Sequence, residues 1–466
     1  MIDFHPVDIS IIIVYFAVTI GVGLTAGKRQ AQTADDYILI GRRLTLPGFV
    51  ATLVSTWYGG ILGVGEFTYR FGIVNWITQG LFFYVIAALF ALVFAKRIRS
   101  INIYTVPDRL EQVYGKRVAL IGSVFTFLMV SPAPYILILG ILIRFAFGWN
   151  LGICLVIGAS ISTLYLLTGG FKAVVRTDFL QFILMFAGFF ILVPAAVVHY
   201  GGIGFLRTHL PETHLTITGE LGTGYILVWG FIALWTLIDP GFYQRCLAAK
   251  SGSTAQRGIF TAIAFWMLFD LLTCVAGLYA RAALPGIDPL MAYPLLAENL
   301  LPAVLKGIFF TGMLATVMST VDSFTFLSAI TIGNDFIGRI RGINKTAGNI
   351  KRYTQIGLVI SAVFAVIIAW WSRSVIDIWY TLGTIGIPAL LIPVIVSYFP
   401  AVTISPAAAS VMIVSSSAVS TGWLLDGYMH TQNGHPDYSL GIEPMYSGLA
   451  VSLLLYSIQI VWNRLK

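Results

Sequence analysis

Long apolar runs separated by short polar segments dominate the chain. Thirteen of them read as membrane-spanning helices, at roughly 8–27, 45–69, 75–96, 117–145, 150–168, 176–198, 225–248, 258–283, 302–333, 354–371, 375–399, 403–421 and 446–463. A span needs about 20 apolar residues, and these runs meet that length with short loops between them. The pattern predicts an all-α polytopic membrane protein forming one transmembrane domain over 1–466. Two runs interrupt themselves. In the second, Ser55-Thr56-Trp57-Tyr58-Gly59-Gly60 is followed by Gly63 and Gly65, and glycine weakens a helix interior. In the seventh, Trp235-Thr236-Leu237-Ile238-Asp239-Pro240-Gly241 places an acid, a proline and a glycine inside one span. The breaks are five runs apart, which predicts two five-helix halves, 45–198 and 225–399. An odd number of spans inverts the second half, and interrupted segments at matching positions of inverted halves point to a transporter binding site. Residues 8–27 then form an extra N-terminal helix and 403–463 two C-terminal ones. Two unrelated kinks are the alternative.

The ninth run carries a different pattern. Thr316, Ser319, Thr320 and Ser323 stand at i, i+3, i+4 and i+7, one stripe of a helix, with Asp322 at its flank. Hydroxyl oxygens are hard donors of the kind that group-I cations prefer. Packing against a neighbouring helix, with bonds back to carbonyls, is the other reading. A broken helix near Thr56 facing the stripe favours the cation.

Charge adds orientation. Of 28 basic residues, 22 fall in one alternating set of loops, from Lys28 and Arg29 through Arg42, Lys96, Lys172, Arg245, Lys250, Arg339 and Lys345 to Lys466. The other set holds only Arg70, Arg144, Arg207, Arg281, Lys306 and Arg373. The positive-inside rule puts the N-terminus outside and the C-terminus in the cytoplasm of a cell or plasma membrane. Trp76, Trp149, Tyr200 and Trp370 then mark outer ends, and Tyr398 and Trp462 inner ends. With 58% hydrophobic and 10% charged residues, and a mean hydropathy of +0.88, the net charge of +8 reports cytoplasmic loops, not nucleic-acid binding. The first run lacks a basic n-region and a cleavage site, so it reads as a retained span. Cys154, Cys246 and Cys274 have no paired spacing and suggest neither disulfides nor a zinc site.

Four stretches carry a resemblance: Ala34-Asp35-Asp36-Tyr37-Ile38-Leu39-Ile40-Gly41-Arg42-Arg43-Leu44; Gly169-Gly170-Phe171-Lys172-Ala173-Val174 with Thr177-Asp178-Phe179-Leu180-Gln181; Asp239 with Gln244-Arg245 and Ala248-Ala249-Lys250-Ser251; and Met318-Ser319-Thr320-Val321-Asp322-Ser323. In this order and topology, over about 8–400, the chain resembles the sodium:solute symporter family. The resemblance implies a LeuT-like five-plus-five inverted repeat with an added N-terminal helix. It implies sodium-coupled uptake of a small organic solute (sugar, amino acid, vitamin or similar) by alternating access, with Na+ as the coupling ion. It puts sodium on the Leu53 and Thr56 carbonyls and on Thr316, Ser319 and Thr320. Some members hold a second sodium, and the matching residues are Asp178, Ser319, Asp322 and Ser323. Asp178 as an anchor of the loop near Arg176 is an equal alternative. The solute site is expected between the breaks, at Ser55, Gly59, Gly60, Trp235, Thr236 and Asp239, with Trp235 as a gate over the ligand or as a core aromatic. Sugar-binding members carry Glu-Gln where Gly59-Gly60 stands, and the proline carrier an aspartate at the position of Ser55, so neither specificity transfers. No basic residue lies between Val130 and Gly140, which argues against a large anion. Glu66 and Asp270 are intramembrane acids with no partner evident in the sequence.

A proton-coupled or uncoupled carrier of the same fold is the runner-up, and the sequence shows no basic group near Ser319. A membrane sensor would need a cytoplasmic domain beyond Lys466. An enzyme is not expected: HExxH and GxSxG are absent, and His5, His199, His209, His214, His430 and His435 fall in outer loops or ends. A functional monomer in the lipid bilayer, without nucleic-acid partners, completes the expectation.

Overall fold

The structure is a computed structural model that describes residues 2–26, 33–344, 346–372, 375–431 and 436–465. Of the charged positions used above, Lys28, Arg29, Lys345, Arg373 and Lys466 lie outside these residues, as does His435. The fold is helical; the β-pairing described is one isolated bridge, Leu44 with Ala249.

The spanning helices are α1 (Pro6–Ala26), α2 (Leu46–Ser55), α3 (Ile61–Phe71), α4 (Phe82–Val93), α5 (Lys116–Met129), α6 (Ala133–Phe147), α7 (Leu151–Tyr200), α8 (Thr223–Ile232), α9 (Pro240–Ala248), α10 (Gly252–Ala283), α11 (Leu305–Ile330), α12 (Ala347–Ser372), α13 (Val375–Val396), α14 (Pro406–Met429) and α15 (Pro444–Leu465). Among the described residues, length and apolar character give eleven membrane-crossing helices, or twelve when the bent pair Leu46–Tyr58 and Ile61–Phe71 counts as one. The fifth and sixth expected spans share α7, a run of 50 residues. A helix of that length is about 75 Å long, against a hydrocarbon core of about 30 Å. Gly170 interrupts it with φ 56° and ψ −151°, a conformation that favours glycine. Thirteen segments result only when α7 is cut there. The sequence reading missed a further interruption, at Val130–Pro132 between α5 and α6.

α11 lies at the centre. Every residue from Phe309 to Ile330 is buried, hydroxyls included. Glycines let its neighbours come to backbone contact. A Cβ on Gly312 would stand 2.6 Å from the Leu184 carbonyl oxygen of α7, and one on Gly357 of α12 would stand 2.1 Å from the Ala329 carbonyl. α15 is the opposite case: Leu453, Leu454, Ile458, Val461 and Trp462 are exposed, an apolar face suited to lipid.

Candidate functional site

The first break follows α2. Thr56–Tyr58 tighten into a 3-10 turn, Gly59 and Gly60 follow, and α3 leaves at 57° to the axis before it. Glycine is required here by contact. A Cβ on Gly59 would stand 2.5 Å from Cβ of Thr320, and one on Gly60 1.8 Å from the Trp379 indole. The break therefore lies flat against α11 on one side and against α13 on the other. The helix that loses its regular ladder here must find partners elsewhere. Thr320 supplies one, its hydroxyl donating to the Thr56 carbonyl at 2.8 Å.

The second break closes on itself. α8 ends in a 3-10 turn, Ala233–Leu237, and Asp239 caps α9 with Pro240 in its first turn. One Asp239 oxygen accepts from the amides of Gly241 at 2.6 Å and Phe242 at 3.1 Å, and the other accepts from Trp235 Nε1 at 3.2 Å. Asp239 organises the broken helix and fixes Trp235 in the process.

Two hydroxyl stripes meet between the breaks. Thr52 and Ser55 on α2 and Thr56 just after it repeat the i, i+3, i+4 spacing of α11 and face it. Ser319 Oγ lies 2.8 Å from Ser55 Oγ and 2.6 Å from Asp178 Oδ1, and Thr56 Oγ1 lies 3.1 Å from Ser323 Oγ. The Thr52 hydroxyl donates to the other Asp178 oxygen. Asp178 belongs to this cluster and does not merely anchor a loop.

Arg245 enters the same cluster. Its side chain is completely buried, and Nη2 donates to Ser323 Oγ at 2.7 Å, Thr56 Oγ1 at 3.0 Å and Thr52 Oγ1 at 3.1 Å. Two expectations are corrected by this. Arg245 is not a loop charge, and a basic group does lie near Ser319. The charge pattern hid it, because its neighbours Lys250 and Arg257 stand in a basic loop.

Other expected ligands separate. Asp322 bonds to the Tyr165 hydroxyl on α7 and makes no hydrogen bond to Asp178, Ser319 or Ser323 among the described residues, since its position on α11 faces α7 instead. Thr316 donates back to the Gly312 carbonyl at 2.7 Å, the packing alternative for its hydroxyl. Among the described residues no side-chain hydrogen bond reaches the Leu53 carbonyl; Leu53 lines the cavity described next.

A cavity of about 340 Å³ opens between the breaks and runs toward Tyr438 and Glu443, ahead of and at the start of α15. Leu53, Thr56, Gly60, Trp235, Asp239 and Arg245 line it, together with Trp57, Tyr135 and Trp379. Three residues expected at the solute do not. Ser55 donates to the Ala51 carbonyl at 2.7 Å inside the hydroxyl cluster, Gly59 packs on Thr320, and Thr236 is buried behind the wall. Trp379 and Tyr135, with ring centroids 5.9 Å apart, were missed by the sequence reading: Tyr135 follows the interruption at Val130–Pro132 that it also missed, and no break or period marks the span of Trp379. Glu66 pairs with Arg70 at 2.8 Å, and Asp270 accepts from the Tyr84 hydroxyl at the cavity wall.

The sodium:solute symporter family model matches residues 37–414, most of the chain. The chain belongs to that family. It is a multi-pass membrane carrier that couples sodium to the symport of a small organic solute. Among similar proteins, the High-affinity choline transporter 1 of Caenorhabditis elegans is 25% identical over 417 residues, covering 79% of this symporter and 69% of that protein. The Sodium/mannose cotransporter SLC5A10 of Bos taurus is 29% identical, covering 78% and 68%. The Sodium/glucose cotransporter 4 of Danio rerio is 27% identical, covering 72% of the symporter and 58% of its own length. The solved structure of a Na+-coupled sialic acid symporter, in its substrate-bound outward-open state, shares the fold with a TM-score of 0.82 at 16% identity. It covers 100% of this symporter and 99% of that chain. The fold class read from the sequence, a LeuT-like all-helical transporter, is borne out.

Proposed function

We propose that the symporter carries a small organic cation of the quaternary ammonium type, choline being the nearest named example. The observation that carries this reading is the cavity wall. Four indoles, Trp57, Trp229, Trp235 and Trp379, and the Tyr135 ring line it, and its charged residues are Asp239, Asp270 and Glu443 against a single Arg245. Aromatic faces attract cations, most strongly when the ring is indole and the site is desolvated. A sugar would have to rely on Gln79 and on tyrosine hydroxyls such as those of Tyr225, Tyr380 and Tyr428. An anion would meet three carboxylates. The likeness to choline transporters supports the same reading, and the likeness to sugar cotransporters names the main competitor.

Sodium sits, in this reading, on the Leu53 and Thr56 carbonyls and the Ser319 and Thr320 hydroxyls. The Thr320 hydrogen must then turn from the Thr56 carbonyl to the Thr316 carbonyl, 3.5 Å away. Thr316 contributes packing. The two five-helix halves, 45–198 and 225–399, invert about this site, the N-terminus faces outward and one chain suffices for transport. No catalytic step is required of it. The cavity would then open to the outside.

Proteoliposomes supplied in parallel with radiolabelled choline, glucose and mannose test this. The reading expects choline accumulation only under an inward sodium gradient, with an excess of tetramethylammonium competing. Accumulation of a sugar, with choline excluded, overturns the substrate class. Accumulation that ignores sodium overturns the ion site.

A further inference from the structure

The cavity changes character along its length. Near the breaks Trp57, Trp235 and Trp379 stand with Asp239; at its mouth tyrosines stand with Glu443. Tyr225 lies in the first turn of α8, Tyr380 near the start of α13 and Tyr428 in the last turn of α14, while Tyr438 and Glu443 come from the loop that leads into α15. That loop is tied down on α14. The Asp437 amide donates to the Gly427 carbonyl at 3.2 Å, Ser439 Oγ to the Asp426 carboxylate at 2.5 Å and Trp423 Nε1 to the Ile442 carbonyl at 2.9 Å. Gly427 makes the room, since a Cβ there would stand 2.1 Å from the Tyr438 ring. Leu440 and Gly441, at φ 60° and 63°, turn the chain back toward α13. There the Tyr380 hydroxyl donates to Glu443, and the Tyr380 and Tyr438 rings stack with centroids 6.5 Å apart. Among the described residues no basic side chain pairs with Glu443. Tyr428, Tyr438 and Glu443 also lie beyond residue 414, where the match to the family model ends.

We propose that Glu443 and the tyrosines around it form a second binding subsite, which captures a quaternary ammonium solute at the mouth while another occupies the indoles within. This rests on the reading that the solute is such a cation. The cavity, at about 340 Å³, falls in the range that holds a drug-sized ligand, more than one small ammonium ion fills. Glu443 supplies a negative charge that no base cancels, and the tyrosine faces attract an ammonium group less strongly than indole does. The mouth is therefore the weaker of the two subsites. A waiting place on a transport path needs that order, because it must bind well enough to fill and loosely enough to release. It shares no residue with Ser319 and Thr320, so it fills whether or not sodium is bound.

The test counts radiolabelled choline bound per purified symporter in nanodiscs, once in sodium chloride and once in potassium chloride. Wild type should bind two in sodium and one in potassium. Glu443→Gln keeps an acceptor for Tyr380 and drops only the charge, so the sodium-independent site should weaken roughly tenfold. Tyr428→Leu removes one exposed ring and should weaken the same site roughly two- to fivefold. Its exposure lets it report even if Glu443→Gln disturbs the loop. Wild type that binds one choline in sodium and none in potassium overturns the subsite. So does a sodium-independent affinity that neither variant changes. Choline binding in neither medium is a different failure: it overturns the reading of the solute as a quaternary ammonium ion, and the subsite falls with it.

Discussion

The two breaks solve one problem by opposite means. At Gly59–Gly60 the backbone is left bare and a neighbouring helix completes it, through Thr320 on α11. At Asp239 the chain completes itself, since one carboxylate caps two amides and anchors an indole. A break completed by its neighbour changes when the neighbour moves or when an ion competes for the carbonyl. A break completed from within keeps its shape while its partners move. The first is suited to sensing sodium and the second to holding a solute-facing aromatic in place.

Substitutions that fill the first break should have the largest effect. Gly60→Ala drives a methyl into Trp379 and should cost about 1–3 kcal/mol in stability and raise the solute KM more than roughly tenfold. A thermal melt and an uptake curve would check it; an unchanged KM would remove Trp379 from the solute wall. Ser319→Ala comes next. If one oxygen on a cation is worth about 1–2 kcal/mol, sodium dependence should move roughly 5–30-fold. By linkage, solute affinity should fall at low sodium and recover at high sodium. Equal losses at both sodium levels would instead mark a packing role.

The self-capped break should respond on the solute side. Asp239→Ala removes a cap worth about 0.5–2 kcal/mol and releases Trp235. The solute KM should rise roughly five- to tenfold, in keeping with a lost bond to a charged acceptor, while sodium binding measured without solute stays near wild type. A sodium shift as large as the solute shift would erase the contrast between the breaks. Trp235→Phe should cost about 0.5–1 kcal/mol, a two- to fivefold loss for a cationic solute, and nothing for a neutral one. Thr316→Ala should be the mildest. Its hydroxyl serves its own helix, so sodium activation should stay within about twofold; a tenfold shift would restore Thr316 as a ligand.

The breaks and the α11 stripe were legible because each disturbs a periodic apolar pattern. Gly59 and Gly60 are conspicuous in a span, and so are an acid and a proline. What escaped has no such signature. Trp379 sits in an unbroken apolar helix, and its place over Gly60 depends on how α13 crosses α3. Arg245 was read with the loop charges because sequence distance from a basic loop says nothing about which way a side chain turns. Thr52, Ser55 and Thr56 did carry a signal, the same hydroxyl spacing as on α11. Asp322 was placed with Ser319 by the family resemblance, yet its position on the helix turns it toward Tyr165. Pairing faces is a tertiary property, and one strand of sequence does not encode it locally.

The glycine contacts of α11 have a consequence for amide hydrogen exchange. Backbone-to-backbone seating at Gly312 and Gly357 leaves no room for water or partial slippage, whereas the seam toward α2 is made of hydroxyls that can change partners. Local opening free energies differ along a chain for such reasons. Amides of α11 and the adjoining turns of α7 and α12 should exchange only on the slowest timescale, and those of Thr56–Gly60 far sooner. The boundary between slow and fast amides would then trace, residue by residue, the surface along which the carrier parts when it turns.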